Sequence, residues 1–336
     1  MDRQLNMRDI AEKANVSVST VSRVLNGKGR ISPETRERVQ AIIDESGYVV
    51  NMAARSLTSA HSGNVGLIVP DISNDFFSTI ALHTESYLAE KGYSVFVCNT
   101  ANDPERERAY FRTLTSKLVD GVICISGLNR LSSDLVPAGL PIVCVDRLPE
   151  NDLGIPMVRS DETAGTYAAT KHLIDRGCKH ILFIGGYTAL FVGHTRIAGY
   201  HDAMHEAGLP VTDNSIINVT GKKPSMIEAN ENIIRHISTN GLDFDGVVST
   251  SDHAAAGVMQ GLRQMDISVP GQVKICGFDD SIYSRLTTPR ITTVHRYPEQ
   301  LARAGCNRLL EQLHGDTPLP ETIIPVKLLV RGSTSV

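Results

Sequence analysis

Two sets of residues in this chain of 336 residues could do chemistry. The first is crowded near the N-terminus: Ser17, Val18, Ser19, Thr20, Ser22, Arg23 and Asn26. Hydroxyls and amides suit phosphate oxygens and base edges, and a guanidinium suits the paired acceptors of guanine. The second set is scattered: Phe76, Phe77, Asp146, Arg147, Asp161, Arg196, Asp252 and Asp279. Aromatic rings with carboxylates and arginine suit a hydroxylated ring, whose face stacks while its hydroxyls donate to the acids and accept from the guanidinium. Taken singly, each acid also reads as a helix N-cap, Asp161 and Asp252 most readily.

The elements that must position the first set are short helices. Asn6 can cap the first, with Asp9 in its opening turn. Met7, Ile10, Ala11 and Ala14 then form one apolar stripe. Asn15 and Val16 make a turn, and Ser17 caps a second helix whose Val21, Val24 and Leu25 face inward. Ser32-Pro33-Glu34 opens a third, with a cap, a proline at the first helical position and an acid in the first turn. Its apolar side is Thr35, Val39, Ile42 and Ile43, and Gly47 stops it. Spacing alone fits either a helix that enters the major groove of DNA or an ordinary helical pair with a solvated face.

The residues Ile10-Ala11, Ala14-Asn15-Val16-Ser17, Thr20-Val21-Ser22-Arg23-Val24-Leu25-Asn26, Thr35-Arg36, Gly47-Tyr48 and Ala54-Arg55-Ser56-Leu57 make the run 7–57 resemble the headpiece of LacI/GalR-family bacterial repressors. The resemblance implies that Val18, Ser19 and Arg23 read bases. It implies phosphate contacts from Ser17, Thr20, Asn26, Thr35, Tyr48 and Asn51, and adds Met7, Ser22, Arg30 and Ala54 to the DNA-facing set. Val18 stands where several relatives carry a larger polar or aromatic residue. It can touch a thymine methyl but cannot donate a hydrogen bond. Segment 51–60 is too short for a stable isolated helix in water. The resemblance makes it a hinge helix, paired with a second copy in the minor groove, where Leu57 wedges between base pairs.

Residues 1–61 carry nine Lys and Arg against seven Asp and Glu, a charge of +2, so the rest of the chain carries −6. A mildly basic head on an acidic body fits a protein that meets DNA at one end, as a dimer on a specific site. From about residue 64, continuous β-branched runs (Val65 to Val69, Ser94 to Cys98, Gly121 to Ile125, Ile142 to Val145, His180 to Ile184, Gly246 to Thr250, Val273 to Gly277) alternate with helical stretches. That alternation predicts parallel sheets covered on both faces, with a cleft at the strands' carboxyl ends. Polar residues cluster there, and Arg196 is read as opening a helix.

The expected architecture is therefore an all-α helix-turn-helix headpiece (1–49) with a hinge helix and linker (50–63), followed by an α/β body (64–336). By resemblance the body has the periplasmic-binding-protein fold, two doubly wound parallel-sheet subdomains about 64–161 with 293–323 and 162–292 with 324–336. The chain should cross between them near Asp161, Thr292 and Ile323. The resemblance also implies that Phe77, Asp146, Asp161, Arg196, Asp252 and Asp279 hold a small effector. Departures from purine-binding relatives are Leu190-Phe191-Val192, a displaced Gln-Pro at Val294-His295-Arg296-Tyr297-Pro298, and Arg147 in place of a large aromatic. They favour a sugar or polyol, and Arg147 with Arg196 leaves a sugar phosphate open.

Other chemistries find no support. Cys98, Cys124, Cys144, Cys178, Cys276 and Cys306 show no CxxC or metal spacing, and read as free thiols of a reducing cytoplasm. No catalytic motif, cofactor fingerprint, signal peptide or membrane-length apolar run is present. The chain lacks an apolar heptad tail, so a dimer is expected rather than a tetramer built through one. The expected partners are double-stranded operator DNA, a small effector and a second copy. The effector should change the angle between subdomains, and with it the spacing and order of the hinge segments. The rival reading is a sugar-binding or sugar-modifying α/β protein without operator binding.

Overall fold

The computed structural model describes residues 6–25, 29–46, 61–147, 149–151, 153–185, 191–220 and 223–335. The hinge segment 51–60, with Asn51, Ala54 and Leu57, and also Asn26 and Tyr48, lie outside the described residues. The chain divides into two units, 1–62 and 63–336.

In the first unit, helices α1 (Met7–Lys13), α2 (Val18–Leu25) and α3 (Pro33–Ser46) surround a core of Ile10, Ala11, Ala14, Val21, Val24, Val39 and Ile43. The Asn6 side chain accepts from the Arg8 and Asp9 amides, and Asp9 returns a bond to the Asn6 amide, closing a capping box. Asn15 turns the chain at a φ of 51°, a conformation that Asn tolerates. Ser17 Oγ then accepts from the Thr20 amide at 3.1 Å, which starts α2 where the sequence places it. Arg38 Nε donates to the Ala14 carbonyl at 3.1 Å, fastening α3 to the end of α1.

The second unit holds two six-stranded sheets. The first contains β1 (Asn64–Val69), β2 (Ser94–Asn99), β3 (Gly121–Cys124), β5 (Ile142–Val145), β7 (Met157–Ser160) and β13 (Glu321–Ile324), in the order β13-β7-β5-β3-β1-β2. A two-residue ribbon of β4 (Arg130–Leu131) and β6 (Glu150–Asn151) stands apart. The second sheet contains β8 (Ile181–Gly185), β9 (Ile216–Asn218), β10 (Gly246–Ser249), β11 (Lys274–Asp279), β12 (Thr292–His295) and β14 (Lys327–Leu329), ordered β14-β12-β11-β10-β8-β9. All the pairings are parallel except β12 with β14.

Alternate residues of each strand serve two cores, as doubly wound sheets require. Val65, Leu67, Ile123, Val143 and Val145 pack under α4 (Asp75–Glu90) and a late helix, α11 (Pro298–His314), while Ile68, Val122, Cys124 and Cys144 meet Phe111 and Leu114 of α5 (Pro104–Ser116). In the second sheet Leu182, Ile184, Val247 and Ile275 face α8 (Ser225–Asn240) and α9 (Asp252–Gln264). Phe183, Val248, Cys276 and Phe278 face α6 (Glu162–Asp175) and α7 (Phe191–Glu206). All six cysteines are free and buried. Among the described residues no helix is long and apolar enough to cross a membrane.

The chain passes between sheets after Ser160, after His295 and after Ile324. The second passage lies beyond Thr292, because Thr292–His295 pairs with β11 and β14 in the second sheet. The third lies beyond Ile323, because Ile324 still pairs with Ser160 in the first sheet. A turn and the short helix α10 (Ile282–Leu286) follow β11. Helix α7 begins at Phe191, so Arg196 sits in its second turn and does not open it.

Candidate DNA interface and ligand cleft

Helix α2 presents a mixed polar and apolar face. Val18 is 43 % exposed, a placement no core explains. Ser17, Ser19 and Arg23 are exposed, and Thr20 and Ser22 half-buried. Ser17 Oγ lies 2.7 Å from Ser19 Oγ and 2.9 Å from Thr20 Oγ1, so three hydroxyls gather at the helix start. The first turn holds no acid, and its basic residue, Arg23, comes in the last turn. A phosphate therefore meets unopposed amide dipoles at that end. Arg30 is exposed nearby in sequence. Thr35 is engaged at the start of α3, where its hydroxyl accepts from Ser32 Oγ at 2.8 Å. Met7 is half-buried against the headpiece core, which leaves less of it for DNA than the sequence suggests.

The second set converges at the carboxyl ends of both sheets. Asp146 follows β5, and Asp279 ends β11. Both adopt left-handed backbone, φ 69° and 102°, as do Asp280 (57°) and Tyr297 (51°). Such conformations cost of order 1–3 kcal/mol each for residues with a Cβ and collect at functional sites. Phe76 and Phe77 come from the first turns of α4, edge to face at 5.5 Å. Arg196 reaches in from α7. Helices α6 and α7 meet closely at Gly199, where a Cβ would stand 2.1 Å from the Thr163 carbonyl oxygen. That approach brings Arg196 Nε onto Glu162, in hydrogen-bonding contact. Arg196 also donates to the Thr250 carbonyl, lies 3.6 Å from Asp279, and covers the Phe278 ring at 4.1 Å.

The centre of the cleft is a residue that sequence reasoning missed. Arg296, only 2 % exposed, contacts Asp146, pairs with Glu162 at 2.5 Å and Asp279 at 3.1 Å, and donates to Ser160 Oγ at 3.3 Å. Its guanidinium lies 4.0 Å from the centre of the Phe76 ring. Burial works against its charge, but Asp146, Glu162 and Asp279 outweigh burial and hold its pKa above the ordinary arginine value. The available signal was the altered Gln-Pro segment, which holds Arg296. Glu162 had a weaker one, its place beside Asp161.

The other acids divide. Asp161 accepts from the Ala164 amide at 3.1 Å as the N-cap of α6, the bland alternative for this residue. Asp252 is buried beneath β11. Gly277 makes room for it, since a Cβ there would lie 2.2 Å from Asp252 Oδ1. The carboxylate accepts from Thr293 Oγ1 at 2.6 Å and the Ser281 amide at 2.7 Å, while Ser251 caps α9. Asp252 thus holds the segment after β11 in place. Burial, then Asp279, push its carboxyl well above the usual range against those hydrogen bonds.

Arg147 borders the cleft, its guanidinium 5.3 Å from the Phe77 ring centre, and its buried Nη1 makes no hydrogen bond. Burial lowers its pKa, and Arg196 and Arg296 add to that against Asp146 and Glu107. Glu107, also missed, is buried and accepts from Ser126 Oγ at 2.6 Å and the Gly127 amide at 2.8 Å. Asp75 spans the two halves: its Oδ2 accepts from the Ile282 amide at 2.7 Å.

Comparison with known proteins gives two family matches. Residues 6–51 match the model for bacterial regulatory proteins of the lacI family, and residues 170–334 match the periplasmic binding protein-like domain. The chain is 34 % identical over 331 residues to the ribose operon repressor of Halalkalibacterium halodurans, covering 98 % of this chain and 96 % of that one. It is 32 % identical to the HTH-type transcriptional regulator DegA of Bacillus subtilis, covering 97 % of each. A LacI transcriptional regulator from Alkaliphilus metalliredigens, solved with D-xylulofuranose, is 31 % identical, covers 82 % of this chain and all of its own, and superposes with a TM-score of 0.70. The lac repressor dimer bound to operator is 22 % identical but superposes with a TM-score of 0.87, with 99 % and 100 % coverage, which establishes the fold.

Proposed function

The chain belongs to the LacI family of bacterial regulatory proteins and is a DNA-binding transcriptional regulator, and we propose that it is a dimeric repressor switched by a small sugar or polyol held between the halves of its body. The observation that carries the effector reading is the meeting of Phe76, Asp146, Arg196 and Asp279 at the carboxyl ends of strands from both sheets. Aromatic faces beside acids and guanidiniums recognise vicinal hydroxyls. The sugar names attached to the ribose operon repressor and to the D-xylulofuranose complex point the same way. Arg196 is spent on Glu162, Asp279 and Thr250, which argues against a phosphate on the ligand.

On the DNA, Val18, Ser19 and Arg23 read base edges, while Ser17, Thr20 and the start of α2 hold phosphates. Tyr48, Asn26, Asn51, Ala54 and Leu57 keep the roles the family resemblance gives them. Dimerisation is supported by the edge strand β2, where adjacent Phe96 and Val97 are 41 % and 43 % exposed, and by Leu82 of α4 at 62 %. An exposed apolar edge is a surface that proteins cover. Ligand changes the angle between the sheets, the dimer transmits it to the hinge segments, and DNA affinity follows.

The test is a gel shift with palindromic DNA selected by the full-length protein from a random pool, run with a panel of free sugars. The expected result is a sequence-specific dimer complex whose affinity changes with one sugar. Failure to select any sequence would overturn the repressor reading. Unchanged affinity, together with no thermal shift across the panel, would overturn the effector reading.

A further inference from the structure

We propose that Arg296 is the specificity-determining residue of the cleft, an internal stand-in for the ligand that an incoming sugar must displace; this rests on the sugar reading given above. A hydroxylated ring binds by donating to carboxylates and laying one face on an aromatic side chain. Arg296 already does both. It donates to Asp146 and Asp279, one acid from each half of the body, and its flat guanidinium lies 4.0 Å from the Phe76 ring centre. It also bridges Ser160 and Glu162, on either side of the first passage between sheets, and itself begins the second passage.

Two consequences follow for the ligand. Arg296 already engages Oδ1 of both Asp146 and Asp279, so a neutral sugar competes with a buried, paired charge for those oxygens. Arg147 Nη1 beside Phe77 is a buried donor without a hydrogen-bond partner among the described residues, so a ligand acceptor is expected there. Arg147, Arg196 and Arg296 stand among Asp146, Glu162, Asp279 and Glu107, which leaves no surplus positive charge for a phosphate. The ligand class is a small uncharged polyol. Because Arg296 ties both halves together, it also favours their closed relation, alongside the Asp75–Ile282 bond.

The experiment compares the full-length protein with Arg296→Gln. Calorimetric titration uses D-ribose, D-xylose, D-glucose and D-ribose 5-phosphate, and hydrogen exchange follows the segment around Ile282. The expected result is at least tenfold tighter binding of one neutral sugar by the variant, with at least tenfold faster exchange before sugar is added. A gain in affinity is not what mere loosening of the core produces. Should Arg296→Gln fail to fold, Arg296→Lys keeps the charge, loses the plane and the bridging fork, and carries the same comparison. Equal or weaker sugar affinity in the folded variant overturns the proposal, as does preferential binding of the phosphate by the parent. If no sugar binds either protein, the sugar reading falls, and exchange alone decides whether Arg296 holds the halves together.

Discussion

Replacing Gly199 by alanine tests how the second sheet's helices deliver Arg196 to the cleft. A Cβ at this position would lie 2.1 Å from the Thr163 carbonyl oxygen and 2.8 Å from the Tyr167 amide nitrogen, both backbone atoms of α6. Neither can swing aside, so the helices must part by about 1 Å. A gap of that size forfeits a quarter to a half of each van der Waals contact it opens, and overpacking of this kind costs about 1–3 kcal/mol. Alanine is also the better helix former, by about 1 kcal/mol. The clash involves rigid atoms on both sides, so the cost belongs at the upper end, and the net is a loss of about 2 kcal/mol. For a body of this size that lowers the melting temperature by roughly 3–6 °C. Scanning calorimetry of the full-length protein gives the shift, and titration with the effector gives a second readout, since Arg196 moves with α7 away from Glu162. An unchanged or higher melting temperature would refute the close approach.

Three further outcomes follow from other sites. Arg196→Ala should abolish the ligand response in fluorescence anisotropy of labelled operator while operator affinity without ligand stays intact; a preserved response removes Arg196 from the effector site. Val18→Ala should cost less than about 0.5 kcal/mol of stability, since Val18 supports no core. Replacing thymine by uracil along the operator should then weaken the parent at one step by about 1 kcal/mol, the value of a buried methyl, and leave the variant unaffected. The raised carboxyl of Asp252 binds its proton more tightly in the folded chain than in the unfolded one. Its contribution is complete below the unfolded value of about 3.9 and is lost as pH rises through the folded value. The melting temperature of Asp252→Asn relative to the parent should therefore climb as pH rises above about 4, and a constant difference would mean that Asp252 does not titrate over the range tested.

Local signals made much of this molecule legible. Caps are short-range chemistry, and Asn6, Ser17 and the Ser32-Pro33 start were each readable from two or three neighbours. The strands β1, β3, β5, β8 and β10 were legible because burial on both faces makes an unbroken apolar run. Strand β12 was harder. Thr292 and Thr293 are fully buried hydroxyls, satisfied by the Arg331 carbonyl, Thr334 and Asp252 from distant parts of the chain, and no local pattern announces that. Arg296 stayed hidden for the same reason. An arginine in sequence reads as surface, and only the assembly of Asp146, Glu162 and Asp279 around one point makes a buried one tenable. Asp161 shows the converse, since its position after a strand suits ligand or cap, and Oδ1 accepts from the Ala164 amide as the cap of α6.

The three passages between sheets bear on how the protein is made. Each sheet draws an edge strand from the very end of the body: β13 at Glu321–Ile324 for the first, β14 at Lys327–Leu329 for the second. Ser333, beyond both, is fully buried and bonds to Thr292 and Ile275 of the second sheet. During synthesis the first sheet cannot be completed before β13, nor the second before β14, has left the ribosome. A premature stop late in the message would therefore not trim one lobe. It would leave both sheets with frayed edges at once.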